Sequence, residues 1–495
     1  MTEQFAALLI IVPLLAALFV PVIGWWAKKI CYPLVVAVLG VSLICSIGIL
    51  NTVITTGPFS YRLGGWAPPW GIEYALDYLS AFMLVLVSFI SFITAIYSKK
   101  NVEDELPEKT VPFYSLFLLL VSGLLGIVIT GDVFNLFVFL EISALSCYAL
   151  IAIGEDGGPA ATFNYILIGT IGATFYLLGV GYLYAVTGSL NMADLAVILP
   201  NMYDSTVVLF AFAFLIVAVS IKMGLFPLHI WLPDAYSTAP SSISALIAPL
   251  MTKVAAYVMI RFVFTVFSPQ FSIEMVPAMS VIGWLSVAAI FVGGIKALAQ
   301  KDLKRMLVYI VVAEVGYIAM GVSVGNRMGL TGAILHIMND AFMMACLFFV
   351  VGAISYKTGT RDIREMRHLN KKMPFTMAAF TITALSMVGI PPACGFFSKW
   401  YLILGTINAG QWVFAAALLT SSLINAVLFF RVIEVAYLAP MEPVSGHTEE
   451  AIQRDEAPFT MLGPIVIMAA GVLILGIFSG HIISTVIQFA VPASF

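Results

Sequence analysis

Long apolar runs follow one another along the whole chain, and only short polar segments separate them. Most runs reach the roughly 20 residues that a helix needs to cross a hydrocarbon core about 30 Å thick. The longest polar segments, residues 356–372 and 439–458, are too short for a soluble catalytic domain. Because a chain in lipid must satisfy its backbone hydrogen bonds internally, this pattern predicts an all-α integral membrane protein of about fourteen transmembrane helices.

The hydropathy places these spans near residues 5–24, 30–53, 74–97, 112–130, 132–153, 160–186, 206–230, 240–265, 274–298, 302–324, 328–354, 374–406, 411–438 and 459–490. The first run lacks a basic leading segment, so we expect a retained helix and not a signal peptide. Lys and Arg concentrate in the loops after odd-numbered spans, from Lys28 to Lys372. The positive-inside rule then predicts a multi-pass protein of the plasma or inner membrane with both termini outside.

Composition agrees with the membrane interpretation and excludes several other classes. Hydrophobic residues make up 61% of the chain and charged residues only 10%, against roughly a quarter charged in an ordinary soluble domain. The net charge is −3, and no basic block alternates with aromatic residues, so nothing indicates nucleic acid. The five cysteines stand alone in apolar runs, and no strand-borne glycine fingerprint is present. We therefore predict no metal site and no flavin, nicotinamide or iron-sulfur cofactor.

Proline interrupts two of the predicted spans in the same manner. Residues 222–233, at the end of the seventh span, contain two prolines, and residues 389–395 of the twelfth contain a Pro-Pro pair. A proline removes a backbone donor and clashes with the preceding turn, so both helices should break. Broken helices five spans apart predict two related five-helix units, and the odd number of helices makes the repeat inverted.

This repeat divides the chain into four predicted parts. Residues 1–111 hold the first three helices, and residues 439–495 hold a cytoplasmic loop and a C-terminal helix. Residues 112–265 and 274–438 form the two five-helix repeats, each of which we interpret as a proton half-channel.

Ionisable side chains occur near the middle of several predicted spans, although each costs roughly 2.5–3.5 kcal/mol to insert at a helix centre. They form a candidate polar path through the interior: Glu141, Lys222, Lys253, Glu314, His336, Asp340 and Lys399. His229, at the first break, is a further candidate that could instead only satisfy freed carbonyl groups. For each residue the alternative is a static ion pair. His336 and Asp340 share a helix face and could form such a fixed pair.

The chemistry of these side chains suits proton movement. A buried lysine keeps its proton while a carboxylate lies close and releases it when the carboxylate moves away. We expect Lys222 and Glu141 to form a pair of this kind. Lys253, His336 and Lys399 could then relay protons, histidine being the group whose ordinary pKa lies closest to neutrality.

Three segments carry a resemblance to a known family: residues 131–141, residues 222–236 with the lysine at 253, and residues 299–307. They resemble the antiporter-like subunits shared by Mrp-type sodium/proton antiporters, membrane-bound hydrogenases and respiratory complex I. With residues 184–192, the chain looks most similar to the Mrp D subunit and its hydrogenase relatives. The resemblance implies fourteen helices in an inverted repeat, and it implies proton translocation by Glu141, Lys222, Lys253 and Lys399.

The sequence departs from the family pattern in the second repeat. Family members often carry Ser, Gln or His where Glu314 stands, many carry histidine where Asp340 stands, and some carry lysine where Met344 stands. Glu314 is the repeat counterpart of Glu141, so we expect it to pair with Lys399 as Glu141 pairs with Lys222. The departures leave open a weak pump or a different transported ion.

Three functions follow as hypotheses. The first is a proton-conducting subunit of a multi-subunit cation (sodium)/proton antiporter, embedded in the bilayer among other integral membrane subunits. The second is a proton- or sodium-pumping membrane subunit of a complex I-like or hydrogenase-like redox complex. The third is a scaffold that transports nothing. In each case the chain is not an enzyme on its own, and redox chemistry would belong to its partners.

Overall fold

The computed structural model describes residues 2–154, 157–438 and 453–492. Within these residues, twelve helical segments are long and apolar enough to cross a membrane. The first of them, residues 4–56, contains two helices joined by a short 3₁₀ turn, and a broken pair after residue 373 provides one further crossing. The protein is therefore all-α, as its hydropathy predicts. The loop predicted at 439–458 lies mostly outside the described residues.

The helices of the N-terminal half are α1 (Thr2–Ala27), α2 (Cys31–Thr56), α3 (Tyr78–Glu105), α4 (Thr110–Ile129), α5 (Val133–Ala152), α6 (Gly158–Thr187), α7 (Met192–Ile198), α8 (Thr206–Met223), α9 (Trp231–Thr238) and α10 (Ser241–Arg261). Those of the C-terminal half are α11 (Ala278–Leu298), α12 (Leu303–Ser323), α13 (Arg327–Thr358), α14 (Leu369–Lys372), α15 (Pro374–Val388), α16 (Cys394–Asn408), α17 (Trp412–Ile433), α18 (Phe459–Ile477), α19 (Ser479–Ile482) and α20 (Gln488–Ala490).

Three helices, α10, α12 and α13, form the centre of the bundle. Nearly all of their residues are buried, whereas α1, α2, α6, α11, α17 and α18 expose many large apolar side chains. An apolar exterior is what a lipid-facing surface requires. The central helices also hold Lys253, Glu314, His336 and Asp340, each fully buried. Protein surrounds these polar groups on all sides, and lipid does not reach them.

Both predicted helix breaks are present and have the same local structure. The chain leaves α8 through residues 224–227 and leaves α15 through residues 389–392. Each segment begins with a glycine in the left-handed region (φ 72° for Gly224 and 97° for Gly389), and each ends in a cis peptide bond to proline. Side chains satisfy carbonyl groups that the breaks set free: the Trp231 indole donates to the Ile221 carbonyl at 3.2 Å.

Two connections share one hydrogen-bond pattern. Just before α5, residues 131–133 pair with residues 190–192, and just before α12, residues 301–303 pair with residues 361–363. In both, an aspartate at the centre of the pairing also caps the following helix. Five crossings separate the start of α5 from the start of α12. The paired connections therefore lie on opposite faces of the membrane, which supports the inverted relation between the two units.

One prediction about an element boundary is wrong. The third span was expected to begin near residue 74, but residues 73–76 form a strand, and α3 begins at Tyr78. This strand, β2 (Glu73–Leu76), pairs antiparallel with β1 (Phe59–Arg62) in a hairpin that the sequence analysis missed. Asp77 ends the strand and caps α3, because its carboxylate accepts a hydrogen bond from the Ser80 backbone at 2.8 Å.

Candidate ion-translocation path

The first pair joins Lys222 at the end of α8 to Glu141 on α5. Lys222 Nζ lies 3.6 Å from Glu141 Oε1, so the two form an ion pair that is longer than a direct hydrogen bond. The Lys222 side chain is 10% exposed and that of Glu141 is 30% exposed. The pair expected from the sequence is thus present, and it lies at the edge of the bundle.

Two small cavities adjoin Lys222 on the side of α10. One, of about 10 Å³, is lined in part by Leu140, Tyr176 and Val258, and the other, of about 20 Å³, in part by Ser143 and Met251. The larger has the volume that one water molecule needs. The larger cavity can therefore hold one water molecule between Lys222 and α10.

The second pair lies at the centre of the protein. Lys253 Nζ on α10 is 2.5 Å from Asp340 Oδ2 on α13, and both side chains are fully buried. Lys253 also donates a hydrogen bond to the Ala248 carbonyl at 3.0 Å. Since α10 precedes α11 and α13 follows it, this ion pair connects the two predicted five-helix units.

The third group is a hydrogen-bonded row of three side chains. His336 Nε2 lies 2.8 Å from Glu314 Oε2, and His336 Nδ1 lies 2.9 Å from Ser398 Oγ. All three side chains are fully buried, and they belong to α13, α12 and α16. The row therefore connects the helix at the centre of the bundle to the second arm of the broken helix.

Lys399 follows Ser398 and has a different environment. Its Nζ donates to the Met387 carbonyl at 2.6 Å, where α15 ends, and it lies 4.9 Å from the centroid of the Tyr317 ring. The same ring meets the imidazole of His336 edge to face at a centroid distance of 5.3 Å. A lysine near the carbonyl end of a helix is favoured by the helix dipole.

These contacts correct two expectations. Glu314 bonds to His336 and does not pair with Lys399, because Lys399 reaches back to the end of α15. His336 and Asp340 do not form a fixed pair with one another either, since Asp340 faces Lys253. The pairs that form are Lys253 with Asp340 and Glu314 with His336.

His229 lies apart from these groups. It is partly buried in the segment between α8 and α9, and its ring faces Phe226 at 5.4 Å. Two contact residues were missed by the sequence analysis, namely Ser398 and Tyr317. Tyr317 follows Glu314 by three residues and so shares its helix face, and Ser398 adjoins Lys399, which are signals that could have identified both.

Among the residues that the structure describes, no three His, Cys, Asp or Glu side chains come together in a way that could hold a metal ion. The arrangement instead offers groups that gain and lose protons. Lysine, histidine and carboxylate side chains lie in pairs on α5, α8, α10, α12 and α13.

A polytopic helical bundle with broken helices and buried ionisable pairs is characteristic of membrane proteins that move ions. Residues 130–425 match the family described as "NADH:quinone oxidoreductase/Mrp antiporter, TM". The chain belongs to this family and is an antiporter-like membrane subunit.

Relatives of two kinds resemble it over almost the whole length. The N subunit of the NADH-quinone oxidoreductase of Desulforudis audaxviator is 46% identical, over 99% of each chain. The D subunit of the Na(+)/H(+) antiporter of Alkalihalophilus pseudofirmus is 32% identical, over 92% of this chain and 90% of that one. Among solved structures, the membrane-bound sulfane sulfur reductase, an archaeal respiratory membrane complex, contains a chain that superposes with a TM-score of 0.89 at 30% identity, covering 98% of this chain and 96% of that one. These relatives are parts of membrane assemblies.

Proposed function

We propose that this chain translocates protons as a subunit of a multi-subunit cation/proton antiporter, with sodium as the exchanged cation. Residues 112–265 and 274–438 serve as the two proton half-channels. Glu141 and Lys222 exchange protons in the first, and Glu314, His336 and Lys399 do so in the second. Lys253 and Asp340 transfer protons between them, and His229 lies at the edge of the first.

The observation that supports this proposal is the buried ion pair between Lys253 and Asp340. Burying two charges costs several kcal/mol each, and their attraction only partly offsets that cost. Packing alone is better served by apolar residues. A charge pair at the junction of two related units is therefore expected if protons pass through it. The cavity of about 20 Å³ that lies between Lys222 and α10 has room for one water molecule on the side of the first pair.

The test is Lys222→Ala in the assembled complex, with proton movement followed in everted membrane vesicles. We expect co-purification with the partner subunits to be normal and the proton flux to be lost. Lys29→Ala, which removes an exposed lysine, is the matched control and should transport normally. Normal flux in Lys222→Ala would reject the proposal and favour a scaffold role.

A second candidate function has its own support, which is the 46% identity to a chain named as the N subunit of an NADH-quinone oxidoreductase. In that case redox chemistry in partner subunits would drive the same proton path, and this chain would still not be an enzyme on its own. Proton movement across the vesicle membrane that depends on sodium and needs no electron donor would favour the antiporter. Proton movement that requires an electron donor would favour the redox complex.

The edge position of Glu141 supports a neighbouring subunit in direct contact. Glu141 shares one face of α5 with Phe134, Val138 and Leu145, all of which are exposed in the isolated chain. A carboxylate is costly in lipid, so we infer that a partner subunit covers this face. Cysteine cross-linking from position 145 tests this contact: crosslinks to a partner are expected, and labelling by a lipid-soluble reagent alone would contradict it.

We also infer that the protein lies in the plasma or inner membrane with both termini outside. The basic residues in the loops after odd-numbered spans support this orientation. A reporter that is active only in the cytoplasm, fused at the C-terminus, should be inactive. Activity there would reverse the orientation.

A further inference from the structure

Ser398 contacts the one histidine in the buried path, and it does so from the second arm of a helix break. It is fully buried, and its Oγ lies 2.9 Å from His336 Nδ1 and 3.3 Å from the Gly395 carbonyl. We propose that Ser398 is a positioning residue that holds His336 in both of its protonation states and ties them to the position of α16. This inference rests on the proposed proton path.

The hydroxyl is suited to this role because it can both donate and accept. When His336 is neutral and Nε2 donates to the Glu314 carboxylate, Nδ1 is an acceptor and needs a donor. The Ser398 hydroxyl can then donate to Nδ1. When His336 carries a second proton, Nδ1 becomes a donor, and Ser398 Oγ can accept while its own hydrogen turns toward the Gly395 carbonyl. The change requires rotation of one hydroxyl and no movement of heavy atoms.

The surroundings leave Ser398 as the partner of Nδ1. The ring's other nitrogen is taken by Glu314, and the imidazole packs edge to face against the Tyr317 ring. An imidazole nitrogen buried without a partner is costly, and more so when it is charged. Loss of the hydroxyl therefore penalises the doubly protonated form of His336 more than the neutral form.

The position of Ser398 in the chain connects the protonation state of His336 to the broken helix. Ser398 and Lys399 are neighbours on α16, and Lys399 Nζ is bonded to the Met387 carbonyl on the other arm, α15. A shift of α16 that releases Lys399 from Met387 also changes the distance between Ser398 and His336. The state of His336 and the position of Lys399 are coupled through two adjacent residues.

The experiment compares Ser398→Ala, Ser398→Cys and Ser398→Thr in the assembled complex, with proton flux in everted vesicles measured across a range of pH. We expect Ser398→Ala to lower the flux roughly tenfold and to move its pH profile toward acid pH, because the charged imidazole has lost its acceptor. Ser398→Cys, a weak donor and acceptor, should fall in between. Ser398→Thr keeps the hydroxyl and should restore the profile.

Ser286→Ala is the matched control, because Ser286 is equally buried in the same half and its hydroxyl bonds only to the Ile282 carbonyl of its own helix. If Ser398→Ala does not assemble, the comparison of Cys with Thr decides the question. An unchanged pH profile in Ser398→Ala, or in Ser398→Cys in that case, would overturn the inference. The proposed function fails separately, through normal flux in Lys222→Ala.

Discussion

Lys253 Nζ and Asp340 Oδ2 lie 2.5 Å apart between two helices whose residues are almost entirely buried. Each residue supplies the opposite charge that faces the other, and neither side chain is exposed. The fold therefore contains a charge pair whose two members depend on one another. Variants that remove one charge or both charges can therefore measure the contribution of the pair to stability separately from its contribution to transport.

The first prediction concerns that separation. Asp340→Leu leaves the Lys253 ammonium buried without its carboxylate, which should cost about 3–5 kcal/mol of unfolding free energy. The double variant Lys253→Met/Asp340→Leu removes both charges and should recover most of that loss, because apolar residues of similar volume replace buried ion pairs well. Thermal unfolding of the purified complex measures both effects.

Transport should respond differently from stability. We expect the double variant to assemble and to conduct no protons, since the transfer point between the two units is gone. A double variant that conducts normally would mean that the pair only holds the helices together. A double variant as unstable as the single one would mean that the two charges do not compensate each other.

The second prediction concerns Glu314. Glu314→Gln keeps the shape of the side chain but cannot exchange a proton with His336, so the proton flux should fall roughly tenfold or more. Glu274→Gln, at an exposed position, is the matched control. Flux and co-purification with partner subunits are measured together. Unchanged flux in Glu314→Gln would remove Glu314 from the path and leave it as a structural partner of His336.

Much of the fold and part of the ion-translocation path could be predicted from the sequence. There is a physical reason why the rest could not. Apolar runs, proline positions and single buried charges are local features, and they led to the spans, both breaks and the Lys222–Glu141 pair. The predicted Glu314–Lys399 pair was wrong because Lys222 and Lys399 lie on different arms of their broken helices. Lys222 precedes the glycine of its break, Gly224, whereas Lys399 follows its glycine, Gly389.

The position that corresponds to Lys222 in the second unit is therefore Met387, two residues before Gly389. Lys399 nevertheless reaches this place, because its Nζ bonds to the Met387 carbonyl. Which arm of a broken helix a side chain contacts depends on the tertiary fold and not on the spacing of residues along the chain. The hairpin before α3, which pairs residues 59–62 with residues 73–76, also has a contact that is distant in the sequence, because Tyr74 pairs with Thr130.

The third prediction is a pH dependence at the end of the bundle that holds Asp77. Arg261 donates two hydrogen bonds to the Asp77 carboxylate, at 2.5 and 2.6 Å. Burial raises the pKa of Asp77, but the charge and hydrogen bonds of Arg261, together with the hydrogen bonds of Ser80, outweigh it, so the pKa lies below its ordinary value. The stabilisation is then complete above the unfolded pKa of about 4 and is lost as the pH falls through the folded one.

Asp77→Asn should remove this dependence. The thermal midpoint of the parent protein should therefore drop more steeply below about pH 4 than that of the variant, as measured in detergent across acid pH. Asp204→Asn, at an exposed aspartate, is the matched control and should follow the parent. Parallel curves for Asp77→Asn and the parent would show that the Arg261 pair does not contribute to acid stability.

The fourth prediction tests the second helix break. Gly389 has φ 97°, which an L-residue adopts only with strain, and a Cβ placed there would lie 3.4 Å from Lys399 Cδ. Gly389→Ala should therefore cost about 1–2 kcal/mol, and relief of the strained φ should shift the end of α15, where the Met387 carbonyl accepts a hydrogen bond from Lys399. Gly463→Ala is the matched control, since it lies within a helix and its Cβ would meet only the Phe459 ring at 4.0 Å.

We expect Gly389→Ala to assemble with partners and to lose most proton flux, while Gly463→Ala keeps both its assembly and its proton flux. Full flux in Gly389→Ala would mean that the position of Lys399 at the end of α15 is not needed for translocation, because the strained break and the lysine would then be independent features.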